Sequence, residues 1–405
     1  FQRLSARLSL TAESMEIEQN GLGFNNLIFM AVVLSELAKN PDAAYRSLIV
    51  EEPEAHLHPQ LQRVLLRYLA GIPAKEGEKQ VQLFVTSHSP NFASNSKLES
   101  LVCLVENEAG VETFFPRDIK FAKGKREKLE RYLDVTRAEL FFARRVIFVE
   151  GAAELMLVDV LAKVLGFDLR EYGISLISVE GLNFDSFLPL FGEKGLRIPV
   201  SVITDADPFE EEEVPEAEGE ERTDAEIEEE LLAEAAYLDE ANEQVVDEAE
   251  QAANDDAGEG AKKKKRVKRK AAYPSLGDAV RVSSNTVNMK ALEDQYVKVL
   301  HGVKTLEYDL ALLEENRGAM LDALADLHPT ISKALRKIVD GAPDNTTKAK
   351  ALFCGMFERK ESSSNVQKGR FGQALAEQIA KTPGCKVPGY LEQAIRHVCQ
   401  GAEKQ

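Results

Sequence analysis

A chain of 405 residues can hold two or three domains with cores of their own, and 44% hydrophobic residues with no apolar run near membrane-spanning length set aside an integral helical membrane protein. Four cysteines, Cys103, Cys354, Cys385 and Cys399, stand without the close pairing of a disulfide or zinc framework, which points to a reducing, cytoplasmic setting. The net charge of −18 does not set aside a polyanionic partner, because 23 acids lie between residues 209 and 260 and the remainder is far closer to neutral.

The N-terminal "FQRLSARLSL" reads as neither a signal peptide nor a domain start, so the chain is expected to be part of something longer. "NGLGFNNLIFMAVVLSELAKN" predicts a glycine turn opening an apolar helix. In "YRSLIVEEPEAHLHPQLQRVLLRYLAG" a buried strand at Leu48–Val50 ends in Glu51 and Glu52, then a proline turn leads into an amphipathic helix. "VQLFVTSHSP" predicts a second apolar strand ending beside His88. These are the parts of a nucleotide site: an acid for the metal, an acid to orient water, a histidine near the γ-phosphate, and backbone N–H groups for phosphate oxygens.

After a linker at 121–143 the pattern changes. "RRVIFVEGAAELMLVDVL" predicts a buried strand, Val146–Val149, with Glu150 at its tip and a helix carrying Glu154 on its first turn; residues four apart share a helix face, so the two carboxylates converge. "ISLISVEG" (174–181) and "RIPVSVITDADP" (197–208) predict two further strands. Strands alternating with helices give a parallel α/β sheet with all C-terminal tips on one edge. The third strand ends in Asp205-Ala-Asp207, aspartates two apart pointing the same way. Four carboxylates, Glu150, Glu154, Asp205 and Asp207, would repel one another unless a cation sits among them. With oxygen donors alone, the expected ions are Mg²⁺ or Mn²⁺, with Ca²⁺ next, and not Zn²⁺.

Residues 209–260 follow that edge at once, acidic but for Arg222, and "KKKKRVKRK" (262–270) closes the insertion. Too few apolar residues are present for a core, although "AEIEEELLAEAAYL" can form a helix. "HGVKTLEYDLALLEENRGAMLDAL" predicts helices, with Glu307 and Asp309 near the start of one; Glu307 reads equally as an acid of the site and as an ordinary acid at a positive helix end. "SSSNVQKGRFGQALAEQIAK" predicts a polar loop opening a helix.

"LIVEEPEAHLHP" and "FVTSHSP" resemble the Walker B, D-loop and switch-histidine segments of an ABC-type ATPase of the SMC and Rad50 kind, and "NGLGFNNL" is similar to the signature segment of the OLD (overcoming lysogenization defect) branch. The resemblance implies Glu51 in the Walker B place, Glu52 as catalytic base and His88 as switch, with Gly21, Gly23 and Asn26 facing nucleotide on a partner subunit. Position 51 is Glu where ABC proteins usually have Asp, and no G-x-x-x-x-G-K-[ST] phosphate loop occurs, so ATP binding and hydrolysis are expected only with an N-terminal half that this sequence does not contain. The acid pair and the D-x-D resemble the Toprim domain of topoisomerases, primases and OLD nucleases. In that family the arrangement implies a metal-dependent DNA endonuclease using two ions, with Glu150, Glu154, Asp205 and Asp207 as ligands, Glu307 as a further acid, and a catalytic lysine at Lys368, with Lys360 the competing candidate.

The expected fold is thus α/β: a partial ABC-type ATPase domain over 1–120, the linker, a Toprim domain (a Rossmann-like parallel sheet) beginning at 144–208, the insertion at 209–270, a helical insertion at 271–350, and the end of the Toprim domain at 351–405. Expected partners are DNA and a second copy bound through the ATPase domain, with no membrane. The rival to a nuclease is an ATP-dimerised DNA-binding clamp whose Toprim site does no chemistry; a primase, the other rival, needs modules for template and nucleotide that this layout lacks.

Overall fold

A computed structural model describes residues 11–12, 15–16, 20–38, 45–70, 82–107, 110–181, 184–206, 208–213, 267–359 and 365–401. Asp207, Lys360 and most of the acidic and basic insertion lie outside the described residues.

After a short antiparallel pair, β1 (Thr11–Ala12) with β2 (Met15–Glu16), comes the apolar helix α1 (Leu22–Ala38). Strand β3 (Ser47–Glu51) leads through the proline turn to α2 (Pro59–Ala70), then β4 (Gln82–Thr86) and α3 (Pro90–Asn95). β3 and β4 run parallel, with Leu48 opposite Leu83 and Glu51 opposite Thr86. Their alternation sorts the residues: Leu48, Val50, Leu83 and Val85 pack toward Met30, Leu34, Leu57, Leu65, Leu69 and Phe92, while Ser47, Ile49, Gln82 and Phe84 stay exposed.

The hairpin β5 (Cys103–Asn107) and β6 (Gly110–Phe114), the helix α4 (Lys125–Tyr132) and a 3₁₀ turn (Arg137–Phe141) come next. They correct the expected linker at 121–143. Leu129, Leu133, Ala138 and Leu140 are buried in one cluster with Val146 and Phe148 of the sheet, and Cys103, Val105 and Phe114 pack against it. The charged string "KREKLERY" forms α4 and buries Leu129. The second core therefore begins well before residue 144.

The main sheet is four parallel strands in the order β12-β9-β7-β8. β7 (Arg145–Val149), α5 (Ala152–Val164), β8 (Ile174–Ser178), the one-turn α6 (Phe184–Phe187) and β9 (Val200–Thr204) arrive in the predicted order. β7 and β9 are buried on both faces, as central parallel strands are. Val146, Phe148, Val200 and Val202 face the cluster of α4 and α6; Ile147, Val149 and Ile203 face the opposite core. β10 (Phe209–Glu213) then pairs antiparallel with β11 (Val267–Ala271), so the two ends of the insertion form a ribbon. After α7 (Ser284–Lys290), β12 (Val297–His301) joins β9 as the fourth strand, so the segment expected as a helical insertion over 271–350 also supplies a strand to the sheet. Helices α8 (Leu306–Leu312), α9 (Glu314–Leu327), α10 (Pro329–Gly341), α11 (Asn345–Phe357), α12 (Lys368–Lys381) and α13 (Gly389–Cys399) complete the chain. α12 packs along α5, and α13 crosses beneath β9 and β12, where Ser201 donates to the Ala394 carbonyl at 2.8 Å.

Candidate functional site

Parallel strands deliver Glu150, Asp205 and the loop after β12 to one edge of the sheet. Gly151 separates β7 from α5, and a Cβ there would stand 3.2 Å from a Glu154 carboxylate oxygen, so the turn is tight enough to bring the first helical turn back over the strand tip. One Glu150 oxygen accepts from the Thr204 hydroxyl at 2.6 Å and from the Asp205 N–H at 2.8 Å, which locks the tips of β7 and β9 together. Asp205 Oδ1 accepts the Leu306 N–H at 3.2 Å and draws α8 to the same place.

α8 brings Glu307, only 1% exposed. Its Oε2 accepts from the Thr305 hydroxyl at 3.0 Å and lies 3.3 Å from Lys368 Nζ, while Oε1 is buried without a hydrogen-bond partner among the described residues. Lys368 is the first residue of α12, where a cation meets the positive end of the helix dipole. Burial lowers its pKa, but Glu307, Asp205 and Glu154 together lift it above the usual lysine value, so the ammonium persists. Glu154 is 8% exposed; burial raises its carboxyl, its backbone hydrogen bond lowers it, and Glu307 and Glu150 raise it again. Glu150, Glu154, Asp205, Glu307 and Lys368 are thus brought together. Asp207 and Lys360 lie outside the described residues.

Several contributors escape local sequence reading. Asp309, within the helix that carries Glu307, holds the Val303 and Lys304 N–H groups at 3.2–3.3 Å, and a Cβ on Gly302 would sit 1.4 Å from its Oδ2. Only glycine fits there, so Asp309 and Gly302 shape the loop that presents Thr305 and Glu307. Burial pushes the Asp309 carboxyl up to about 7. Tyr390, at the start of α13, faces the same group: its phenol is raised by burial, then by Asp309, Asp205, Glu154 and Glu307. Thr204 had a signal, standing directly before Asp205; Tyr390 had none, being remote in sequence from every motif.

The donors fit a hard divalent cation in chemistry. They are all oxygen, burial together with the charges of Glu307 and Glu150 disfavours ionisation of Glu154, and Glu307 Oε1 has no hydrogen-bond partner among the described residues. Among the described residues no three Asp, Glu, His or Cys side chains already stand as an ion-binding group. Glu150 Oε1 and Glu307 Oε2 are held by protein donors instead.

The first edge is built differently. Glu51 ends β3, Glu52 follows in a left-handed conformation (φ 42°), and its carboxylate lies 3.6 Å from His88 Nε2 at the end of β4, both side chains exposed. Glu54, which sequence reading passed over, accepts from the Ser87 hydroxyl at 2.6 Å and the His88 N–H at 3.1 Å, joining the two loops. Gly21 and Asn26 are exposed. Gly23, expected to face a partner's nucleotide, is turned inward: a Cβ there would meet the His56 carbonyl oxygen at 2.5 Å.

The description "Overcoming lysogenization defect protein-like, TOPRIM domain" matches residues 141–207, and "AAA ATPase domain" matches residues 3–93. The chain thus carries an AAA-type ATPase match followed by an OLD-like Toprim match. It is 29% identical to the endonuclease GajA of Bacillus cereus (strain HuB5-5) over 226 residues, 48% of this chain and 32% of that protein. It is 28% identical to the OLD nuclease of Thermus scotoductus (strain ATCC 700910 / SA-01) over 209 residues, 50% of this chain and 39% of that one. The chain therefore matches roughly a third of the length of these curated relatives. Among solved structures, the C-terminal region of the Burkholderia pseudomallei OLD protein matches at 25% identity and a TM-score of 0.34, covering 64% of this chain and 98% of that one. No helix among the described residues is long and apolar enough to cross a membrane.

Proposed function

We propose that the chain is a metal-dependent DNA endonuclease, joined in its whole protein to an ATP-driven head that dimerises. The observation that carries this reading is the gathering of Glu150, Glu154, Asp205 and Glu307 around Lys368 at one sheet edge, where burial and the neighbouring acids raise the Glu154 carboxyl and the acids hold the lysine charged. The names of the two relatives, an endonuclease and a nuclease, supply the reaction class.

Glu150, Glu154, Asp205 and Asp207, with Glu307 behind them, are the residues to hold Mg²⁺ or Mn²⁺. Two such ions supply Lewis-acid stabilisation of the attacking and leaving oxygens and a water acidic enough to ionise near neutral pH. The protein's own work is orientation and charge. Thr204 and the Asp205 N–H aim Glu150, and Thr305 with Lys368 aims Glu307. Lys368, kept protonated by its carboxylates, meets the charge that builds on the phosphate as the bond to the leaving oxygen breaks. No side-chain nucleophile is required. In the whole protein, Glu51, Glu52 and His88 take their nucleotide roles, with ATP held across two copies.

Supercoiled plasmid incubated with the chain and Mg²⁺ or Mn²⁺ is expected to be nicked or linearised, EDTA to stop the reaction, and Asp205→Ala to reduce it to background while leaving the circular dichroism spectrum unchanged. DNA binding without cleavage by the wild-type protein under any of these ions would instead favour the clamp.

A further inference from the structure

Arg137, on the 3₁₀ turn before β7, is 7% exposed, and a guanidinium buried so far needs its donors met. They are. Nε donates to the Ser178 carbonyl at 2.9 Å, Nη1 to Asp134 Oδ2 at 3.0 Å and to the Tyr132 carbonyl at 3.3 Å, and Nη2 lies 2.9 Å from Glu180 Oε1. Asp134 returns a second contact by accepting the Arg137 N–H at 2.8 Å. The guanidinium thus clasps the end of β8, where the chain turns through Glu180 in a left-handed conformation (φ 49°).

That turn grips the catalytic strand. The Ser178 hydroxyl donates to the Glu150 carbonyl at 3.2 Å, the Gly181 N–H donates to the same oxygen at 3.0 Å, and the Val179 N–H reaches the Val149 carbonyl at 3.0 Å. The main chain at Glu150 is fixed by groups whose own placement depends on Arg137. On its other side the 3₁₀ turn packs against α3, which starts two residues after His88, with Ala93, Ala138 and Leu140 in one buried cluster.

We propose that Arg137 is a positioning residue for the carboxylate edge: it sets the Ser178–Gly181 turn that orients Glu150, and does so from the element on which the ATPase-type segment bears. Its functional meaning rests on the nuclease reading above. Residues that orient metal ligands from behind change metal affinity by about 10- to 100-fold when lost.

The test uses the whole chain with Arg137→Gln, Arg137→Lys and Ser178→Ala, measuring Mn²⁺ affinity by titration calorimetry, amide exchange at Val179 and Gly181, and plasmid cleavage. Arg137→Gln is expected to weaken Mn²⁺ binding about tenfold and to speed exchange at Gly181. Lys, which lacks the fork that spans Ser178 and Glu180, recovers only part of the loss. Ser178→Ala is expected to reproduce the loss, and the double variant with Arg137→Gln to add nothing, since both act through one turn. Should Arg137→Gln not fold, Arg137→Lys decides the matter, because it keeps the charge and loses the fork that spans Ser178 and Glu180. Unchanged Mn²⁺ affinity and Gly181 exchange in either folded variant, or additive losses in the double variant, would overturn the proposal. A wild-type protein that binds Mn²⁺ and shows the Arg137 effect yet leaves plasmid intact overturns the nuclease reading alone; one with no Mn²⁺ affinity overturns both.

Discussion

The molecule presents two sheet edges of the same kind, and they differ in what surrounds them. At the tips of β3 and β4, Glu51, Glu52 and His88 stand in solvent, and one face of the strand pair is uncovered, with Ile49 67% and Phe84 49% exposed. At the tips of β7 and β9, both faces carry packed cores, and the acids of that edge are driven into each other's company. Parallel strands are ordinarily covered on both sides, so the comparison is between a strand pair with half its packing and a complete sheet. Acids at a strand tip become unusual chemistry only when burial raises the cost of their charge and a fixed cation answers it. Sequence motifs mark both edges equally; the burial that separates them is contributed by residues far from either motif.

The sharpest way to break this contrast is to remove the cation from the buried edge. Lys368→Gln leaves the Glu307 carboxylate buried beside Glu154 with its ion-pair partner gone. A kcat for plasmid cleavage lowered about 10²- to 10³-fold is expected, the size seen when one donor to a developing oxyanion is lost. The equivalent change at Lys381, exposed at the far end of the same helix, is expected to leave cleavage unaltered. Equal activity of wild type and Lys368→Gln at saturating Mg²⁺ would remove the lysine from the mechanism.

Burial also predicts a pH signature at the second edge. Asp309 has its folded pKa raised from 3.8 to about 7. Between those values the folded state binds a proton that the unfolded chain has released, so stability falls as pH rises through that window and the contribution levels off above it. The slope is at most about 1.4 kcal/mol per pH unit from this group. Asp309→Asn, which keeps an oxygen for the Val303 and Lys304 N–H groups, is expected to flatten that part of the profile. Urea unfolding in EDTA at steps between pH 4.5 and 7.5 checks it; parallel curves for the two proteins would mean that Asp309 is already ionised across the range.

How much of this was legible depends on how local each signal is. β7 and β9 could be read because strands buried on both faces are continuous apolar runs, and because an acid closing such a run is conspicuous in "VIFVEG" and "VITDAD". β12 was hidden in a stretch expected to be helical: "VKVLH" is an edge strand whose outward Lys298 breaks the run, and five residues of alternation are a weak signal. Glu307 remained ambiguous because an acid in a first helical turn has an ordinary explanation; only its burial and its contact with Lys368, 61 positions later, give it another. Gly302 is explained by the Asp309 carboxylate and Tyr390 by packing, and neither follows from its neighbours in sequence.

At the exposed edge the largest expected effect concerns packing. Gly23→Ala drives a Cβ against the His56 carbonyl and the Leu57 side chain, 2.5 and 2.9 Å away, so α1 must shift off the turn it rests on. A loss of about 1–3 kcal/mol from this unit is expected, as for other overpacked sites. Protease digestion should cut the first hundred residues sooner while plasmid cleavage and the melting of the second core stay as in wild type. A common downward shift of both units would show that the two edges share one cooperative core.

The smallest effect belongs to the ribbon that leaves the carboxylate edge after Pro208. Its register sets Glu210 opposite Lys270, Glu211 opposite Arg269 and Glu212 opposite Lys268, so the acidic start of the insertion is matched, position by position, to its basic end. Opposite charges across an antiparallel pair contribute about 0.2–1 kcal/mol each, and salt weakens them. Exchanging Glu211 and Glu212 for lysine makes both strands of this register basic. Tighter DNA binding at low salt is expected, with the slope of log affinity against log salt steeper by up to about 0.9 for each new phosphate contact. Adding Arg269→Glu and Lys268→Glu to that variant restores the pairing with its sense reversed and is expected to return the slope to the wild-type value. Fluorescence anisotropy on one duplex across a salt series distinguishes the cases: if the first variant already matches wild type at every salt concentration, the ribbon stands clear of the DNA path and its charges serve only its own two strands.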